Sequence, residues 1–177
     1  MIRLSGTVLG AIAGTAALLV ATAAFADDAT LLGVTKDWSA LASGSGSNKI
    51  CYAMAKPRAS EPRKSKRDPI YFLITDWPSR KTKGEPEAVP GYQYKDGSSA
   101  TAQIGSDKFE FFTQNDGGAG AAWIRKRADE VRFVEAMRTG QELIVTGTSK
   151  RGTLTRDTYS LAGLSEALDA AHKACGM

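Results

Sequence analysis

The chain has 177 residues, of which 42% are hydrophobic and 24% are charged, and its formal net charge is +4 at pH 7. This length suits one domain that can bury a substantial core. The excess of positive charge is mild, and because we expect the chain to be exported, out of reach of nucleic acid, it fits an anionic envelope surface better.

The first 26 residues have the layout of a secretory signal peptide. Arg3 precedes an apolar, alanine-rich run, Val8–Ala24, and Ala24-Phe25-Ala26 forms a small-x-small site directly before Asp27. A cation, an apolar run and a cleavage site in this order are typical of exported proteins. We therefore expect cleavage before Asp27, which leaves residues 27–177 as one domain without a transmembrane segment. An uncleaved membrane anchor is the alternative, because the apolar run is about long enough to span a bilayer.

The first half of the expected domain is predicted to form strands separated by polar connections. We predict strands at Leu31–Trp38, Lys49–Lys56 and Pro69–Trp77, with a turn or mobile loop at Ser43–Asn48. The third strand is apolar on both faces through Ile70–Ile74. A run of this kind fits a central strand that is covered on both sides.

The densest cluster of positive charge follows the second predicted strand. Six cations lie there against the single acid Glu61: Lys56, Arg58, Arg63, Lys64, Lys66 and Arg67. If this segment and the next charged loop, Ser79–Pro90, lie at neighbouring ends of the sheet, they form a basic rim. Such a rim would attract acidic phospholipid, lipopolysaccharide or a host surface. The alternative is that both segments are solubilising loops.

Shorter strands and two helices complete the prediction. The strands are expected at Gly91–Lys95, Ser99–Ile104, Lys108–Thr113, Ala121–Ile124, and in a hairpin of Glu142–Ser149 with Thr153–Tyr159. The first helix should run over Glu130–Thr139 with Asp129 as its N-cap, Gly140 as its stop and Val131 on its inner side.

The second helix, Leu161–Ala174, carries one apolar stripe. The stripe consists of Leu161, Leu164, Leu168, Ala171 and Cys175, and this spacing places it against the sheet. Because strands dominate and do not alternate with helices, the sequence predicts a mainly β fold. We expect an antiparallel β-sandwich or partly closed barrel with two short helices, the C-terminal one packed on the sheet.

Two cysteines, Cys51 and Cys175, lie near opposite ends of the expected domain. An even cysteine count in an exported chain predicts a disulfide. Closing so long a loop would stabilise the fold by about 4–5 kcal/mol in the chain-entropy model. Two independent buried thiols are the alternative, and a redox-active pair is disfavoured because there is no C-x-x-C spacing.

No pattern in the chain indicates catalysis, a cofactor or a metal. The one histidine, His172, stands three residues from Cys175. Two such side chains do not make a zinc site, so we interpret His172 as a helix-edge residue. The chain has no G-x-S-x-G elbow and no phosphate-binding G-x-x-x-x-G-K loop. The sequence therefore predicts a non-enzymatic protein without cofactor or metal.

Several short motifs are spread over the expected domain. They are Cys51–Met54 with Pro57, Arg67–Ile74, Gly91-Tyr92, Phe111–Thr113, Gly147–Ser149 with Gly152, Asp157–Leu161, Gly163-Leu164 and Cys175. Together they resemble the invasion-associated locus B family of exported alphaproteobacterial proteins. The resemblance covers most of the segment between the cysteines and implies a β-rich envelope or secreted domain, linked in some members to host-cell invasion. It implies no catalytic residues.

Three functions are open from the sequence. We favour a non-enzymatic periplasmic or surface-associated binding module that presents loops from a disulfide-tied scaffold, with Lys56–Arg67 as its contact region. Its partner would be an envelope or host-surface component such as anionic lipid or lipopolysaccharide, and not nucleic acid. A structural or stress-related envelope protein with a protein partner is the second hypothesis. An enzyme of unrecognised type is the third.

Overall fold

The computed structural model describes residues 29–63 and 65–177. The expected signal peptide, its cleavage site between Ala26 and Asp27, and Lys64 of the basic segment lie outside the described residues. Within the described residues, no helix is both long enough and apolar enough to cross a membrane.

The described residues contain eleven strands and two helices. The strands are β1 (Thr30–Thr35), β2 (Trp38–Ser43), β3 (Ile50–Ala55), β4 (Ala59–Glu61), β5 (Tyr71–Trp77), β6 (Thr82–Val89), β7 (Ser99–Ile104), β8 (Asp107–Asp116), β9 (Ala119–Trp123), β10 (Glu142–Thr148) and β11 (Leu154–Ser160), and the helices are α1 (Arg127–Thr139) and α2 (Leu164–Cys175).

All eleven strands belong to one antiparallel sheet. Their order is β1-β2-β3-β5-β6-β9-β8-β7-β10-β11-β4, so β1 and β4 are its edges and the sheet is not closed. The predicted mainly β, antiparallel fold with two short helices is confirmed. The sequence left a sandwich and a partly closed barrel open, and the structure has a single continuous sheet that curls.

The curled sheet surrounds one apolar core. Phe72 on β5 lies 6.2 Å from Phe111 on β8 and 5.8 Å from Tyr159 on β11, measured between ring centroids. Phe133 of α1 lies 5.0 Å from Phe109 and 5.2 Å from Phe111. Most of these rings meet edge to face, which is a favourable geometry for buried aromatic pairs. Helix α1 therefore contributes one side, with Phe133 and Met137, to the core. We call the core side of the sheet its inner face.

Helix α2 packs on the inner face of β1, β2 and β3. The helix fits there because β2 and β3 present small buried side chains to it, Ala40, Ala53 and Ala55. The predicted apolar stripe is buried from Leu161 to Ala171. The disulfide between Cys51 and Cys175 joins β3 to the last turn of α2, with Cα atoms 5.9 Å apart. Both the predicted disulfide and the predicted position of the C-terminal helix are confirmed.

The structure corrects two predictions of strand boundaries. The charged segment Ser79–Pro90 contains strand β6, in which Gly84, Pro86 and Ala88 face the core and the charged residues between them face outward. Pro86 is tolerated because the pairing of β6 with β9 is confined to Glu87 and Ala88. The predicted strand Leu31–Trp38 is found only as far as Thr35, where β1 ends; the chain then turns at Lys36, which has a φ of 51°, and β2 begins at Trp38.

Two further predictions fail for reasons of packing. The predicted strand Gly91–Lys95 makes only an isolated bridge at Tyr94. The side chain of Asn115 replaces a neighbouring strand there. Its Oδ1 accepts from the Tyr94 N–H at 2.8 Å, and its Nδ2 donates to the Tyr94 carbonyl at 2.9 Å. Helix α1 begins at Arg127, and its buried side includes Phe133 whereas Val131 is 48% exposed.

Candidate functional site

The cations of the predicted contact segment have different surroundings. Lys56 is exposed and its ammonium lies 5.9 Å from the ring of Tyr71. Arg58 forms an exposed ion pair with Asp37, with Nη2 and Oδ2 2.5 Å apart. This guanidinium holds the pKa of the Asp37 carboxyl below its ordinary value. Arg63 is exposed.

The predicted basic segment and the second charged loop do not share one rim. The segment after β3 begins beside the start of β5, because Ala55 pairs with Phe72. Arg80 follows the other end of β5, where its guanidinium stacks on Trp77 at 4.0 Å. Since β3 and β5 are antiparallel, the two groups of cations lie at opposite ends of these strands.

Arg67 is part of the folded interior. Its Nη1 and Nη2 donate to the two carboxylate oxygens of Asp157 at 2.8 and 2.5 Å, and its Nε donates to the Pro90 carbonyl at 2.8 Å. The side chains of the pair are 5% and 3% exposed. The guanidinium also lies 5.0 Å from the ring of Tyr92. Arg67 therefore anchors the basic segment to β11 and is not a free surface charge.

A cleft of about 430 Å³ opens above this ion pair. It is lined by the segment 65–68 and by residues of the turn between β10 and β11, Ser149, Lys150, Arg151 and Thr153. Gly91, with a φ of 71°, lies against the Asp68 carbonyl where a Cβ atom would collide with it. This close approach allows the basic segment to lie along the rest of the fold.

Three exposed cations line the cleft: Lys66, Lys150 and Arg151. None of them forms an ion pair with a carboxylate of the described residues. The Lys150 ammonium lies 3.5 Å from the side-chain oxygen of Gln93. Asp68 is the acidic member of the described lining, and Arg67 is neutralised by its own partner. The cleft therefore has an excess of positive charge, which suits a phosphate, carboxylate or sulfate group.

Several other polar groups of the cleft are hydrogen-bonded to neighbouring protein atoms. The Tyr92 hydroxyl and Thr155 Oγ1 are 2.7 Å apart, and burial raises the pKa of Tyr92. Ser149 Oγ accepts from the Thr153 N–H at 3.2 Å. These groups shape the cleft. With its excess of positive charge, the arrangement suits the binding of an anion.

His172 is half-buried in the last turn of α2, and it has a buried partner that the sequence did not indicate. Its Nδ1 lies 2.6 Å from Oδ2 of Asp76, whose Oδ1 accepts from the Gly84 N–H at 2.8 Å. Asp76 is fully buried and stands opposite Cys51 in the sheet. The histidine therefore points inward beside the disulfide. A sequence pattern does not reveal this contact, because the two side chains are 96 positions apart.

His172 also lines a groove of about 380 Å³ between α1 and α2. The groove has mixed charge: Arg138 pairs with Asp169 across the two helices at 2.8 Å. No serine, threonine or cysteine is among the described residues that line it. The contact between His172 and Asp76 joins α2 to β5.

Comparison with known proteins identifies a shared fold. No family model and no curated protein matches the chain. Among solved structures, it resembles invasion associated protein B from Bartonella henselae with a TM-score of 0.56 over 82% of this chain and 98% of that chain. The two sequences are 13% identical. The likeness supports the resemblance found in the sequence at the level of the fold.

Proposed function

We propose that the protein is a non-enzymatic binding protein of the bacterial envelope whose basic cleft holds an anionic group. The observation that carries this proposal is the convergence of Lys66, Lys150 and Arg151 in one cleft without carboxylate partners. Two of these cations come from the β10–β11 turn, so the contact site differs from the segment expected from sequence. Lys66 is the member common to both.

An extracytoplasmic location is supported by three observations of different kinds. The N-terminal sequence has the layout of a signal peptide. The chain contains a disulfide, which persists in oxidising compartments. It also shares its fold with an invasion associated protein. In the periplasm or at the cell surface, phospholipid headgroups and lipopolysaccharide both present phosphate, and we propose phosphate as the group that the cleft recognises.

The test replaces the three cleft cations together. Lys66→Gln, Lys150→Gln and Arg151→Gln should weaken binding to phosphatidylglycerol vesicles by about 100-fold, because each cation near an anionic surface contributes about 1 kcal/mol. Binding of the unmodified protein should fall as salt is added. Co-sedimentation with vesicles measures both, and lipopolysaccharide micelles form a second arm that distinguishes the two sources of phosphate.

A matched control removes the same charge elsewhere. Lys108→Gln, Lys126→Gln and Lys173→Gln replace exposed lysines that do not line the cleft. This control should retain most of the binding. Equal losses in the two triple variants would mean that net charge alone attracts the surface. Unchanged binding in the cleft variant, or equal binding to neutral phosphatidylcholine vesicles, would refute the proposal.

A further inference from the structure

Strand β1 exposes an unusual amount of apolar surface. Among the residues that the structure describes, it pairs with β2 alone and forms one edge of the sheet. Leu31, Leu32 and Val34 are 57%, 40% and 63% exposed, and they are three of the five large apolar side chains that are exposed in the described chain. The strand contains no charged residue and no proline. An uncharged edge with unpaired backbone groups is a template for another strand.

The opposite edge of the same sheet is protected. Strand β4 has three residues, and it is flanked by Arg58 and Pro62 and contains Glu61. Short length, charge and proline are the usual means by which natural sheets prevent pairing at an edge. Within the described sheet, the edge at β4 is therefore protected against pairing, and the edge at β1 is not.

A bulge at Leu32 gives β1 an unusual pattern of faces. Leu31 pairs with Leu41 and Val34 pairs with Ser39, with the register shift between them. Trp38 and Ala40 of β2 are buried in the core. Ser39 and Leu41 alternate with them along the strand and therefore lie on its outer face. Paired residues share a face. Leu31 and Val34 therefore both point outward, although residues three apart on a regular strand point to opposite sides.

This pattern makes the edge complementary to itself. We propose that β1 pairs antiparallel with β1 of a second copy about a two-fold axis normal to the sheet. In this register Leu31 faces Val34 of the second copy on the outer side, and Thr30 faces Thr35 on the inner side. Apolar pairs and threonine pairs across strands are favourable, and no like charges oppose each other. Both contacts occur twice, as a two-fold interface requires.

The first test measures association in solution. Leu31→Lys with Val34→Lys places lysines opposite each other in the proposed register and should raise the dimer dissociation constant at least tenfold. Val131→Lys with Leu154→Lys is the matched control, since these are the other exposed large apolar residues of the described chain. The control should dimerise like the unmodified protein in sedimentation equilibrium. An unmodified protein that stays monomeric at all concentrations, or equal effects of both variants, would overturn the proposal.

The second test fixes the register. Leu31→Cys with Val34→Cys should give a covalent dimer under mild oxidation, identified by mass spectrometry of tryptic peptides. The single variants Leu31→Cys and Val34→Cys should not form a covalent dimer. In each of them the two cysteines would lie about 10 Å apart along the strands, which is too far for a disulfide. A double variant that stays monomeric, single variants that cross-link equally well, or cross-linking to a different envelope protein in cells would each refute the pairing.

Discussion

Neighbouring side chains of the same charge have different roles in this protein. Lys66 is exposed at the cleft, whereas the next residue, Arg67, is buried against Asp157 and Tyr92. The difference arises from their surroundings, because Arg67 has the carboxylate of Asp157 as a buried partner and Lys66 lies at the exposed side of the cleft. One cation is available for a ligand, and the other holds the wall from which Lys66 projects.

Replacing Arg67 should therefore damage the fold and not only the cleft. Arg67→Met leaves the Asp157 carboxylate buried without its partner and should lower the free energy of unfolding by about 3–5 kcal/mol. Lys66→Met is the control and should change it by less than about 0.5 kcal/mol, as is usual for an exposed site. Urea denaturation measures both. Similar stability of the two variants would contradict the structural role of Arg67.

Glu87 on β6 is a residue whose charge opposes folding. Burial raises the pKa of its carboxyl, and neighbouring Glu85 raises it further. An acid with a raised pKa binds its proton more tightly in the folded state, so it favours folding at low pH. That contribution is lost as the pH rises through the raised pKa.

Removing this charge should stabilise the protein in a pH-dependent way. Glu87→Gln should raise the melting temperature at pH 7 and leave it nearly unchanged at pH 4, where the carboxyl is largely protonated whether folded or unfolded. Calorimetry at the two pH values measures the difference. Glu110→Gln, at an exposed position on β8, should show no such rise, and a rise of equal size at both pH values would contradict the explanation.

At the scale of elements, α2 is held on the sheet by contacts that the chain makes over long distances. The disulfide joins its last turn to β3. His172 bonds Asp76 on β5, and the Lys49 ammonium donates to the Ala174 carbonyl at 2.6 Å. Its apolar stripe then covers the alanines of β2 and β3. The helix is therefore fixed by covalent, polar and apolar contacts together.

Loss of the disulfide should weaken this attachment without abolishing the fold. Cys51→Ser with Cys175→Ser should lower the free energy of unfolding by about 2–5 kcal/mol. The far-ultraviolet circular dichroism should stay native, because the polar and apolar contacts of α2 remain. Reduction should lower the stability of the unmodified protein and leave that of the variant unchanged. Equal stability before and after reduction would count against a stabilising bridge.

At the scale of the whole molecule, the curl of the sheet brings its two ends close together. The Trp38 indole N–H donates to the Ser160 carbonyl at 2.9 Å, and Asp37 at the β1–β2 turn pairs with Arg58 before β4. The basic cleft lies against β11, while the free edge lies on β1. Ligand binding and pairing of two copies would therefore use different surfaces, and a dimer would present two clefts to an envelope surface.

The sequence alone determined the elements whose signal is local. Alternating side chains indicated β3 and the β10–β11 hairpin, the spacing of Leu164, Leu168 and Ala171 indicated the inner side of α2, and the even number of cysteines indicated their bridge. Strand β6 was not predicted, because its inward residues are small and the charged residues between them resemble a loop. Each of the correctly predicted elements has a clear signal in neighbouring residues of the chain, and β6 lacks such a signal.

The tertiary structure decided which distant residues meet. Arg67 and Asp157 are 90 positions apart, and Asp76 and His172 are 96 positions apart. Each charge by itself would be expected at the surface, because burying an unpaired charge is costly. Only the strand order of the curled sheet supplies the partner that offsets this cost. The same order unites Lys66 with the β10–β11 turn, and for this reason the basic cleft could not be derived from the sequence.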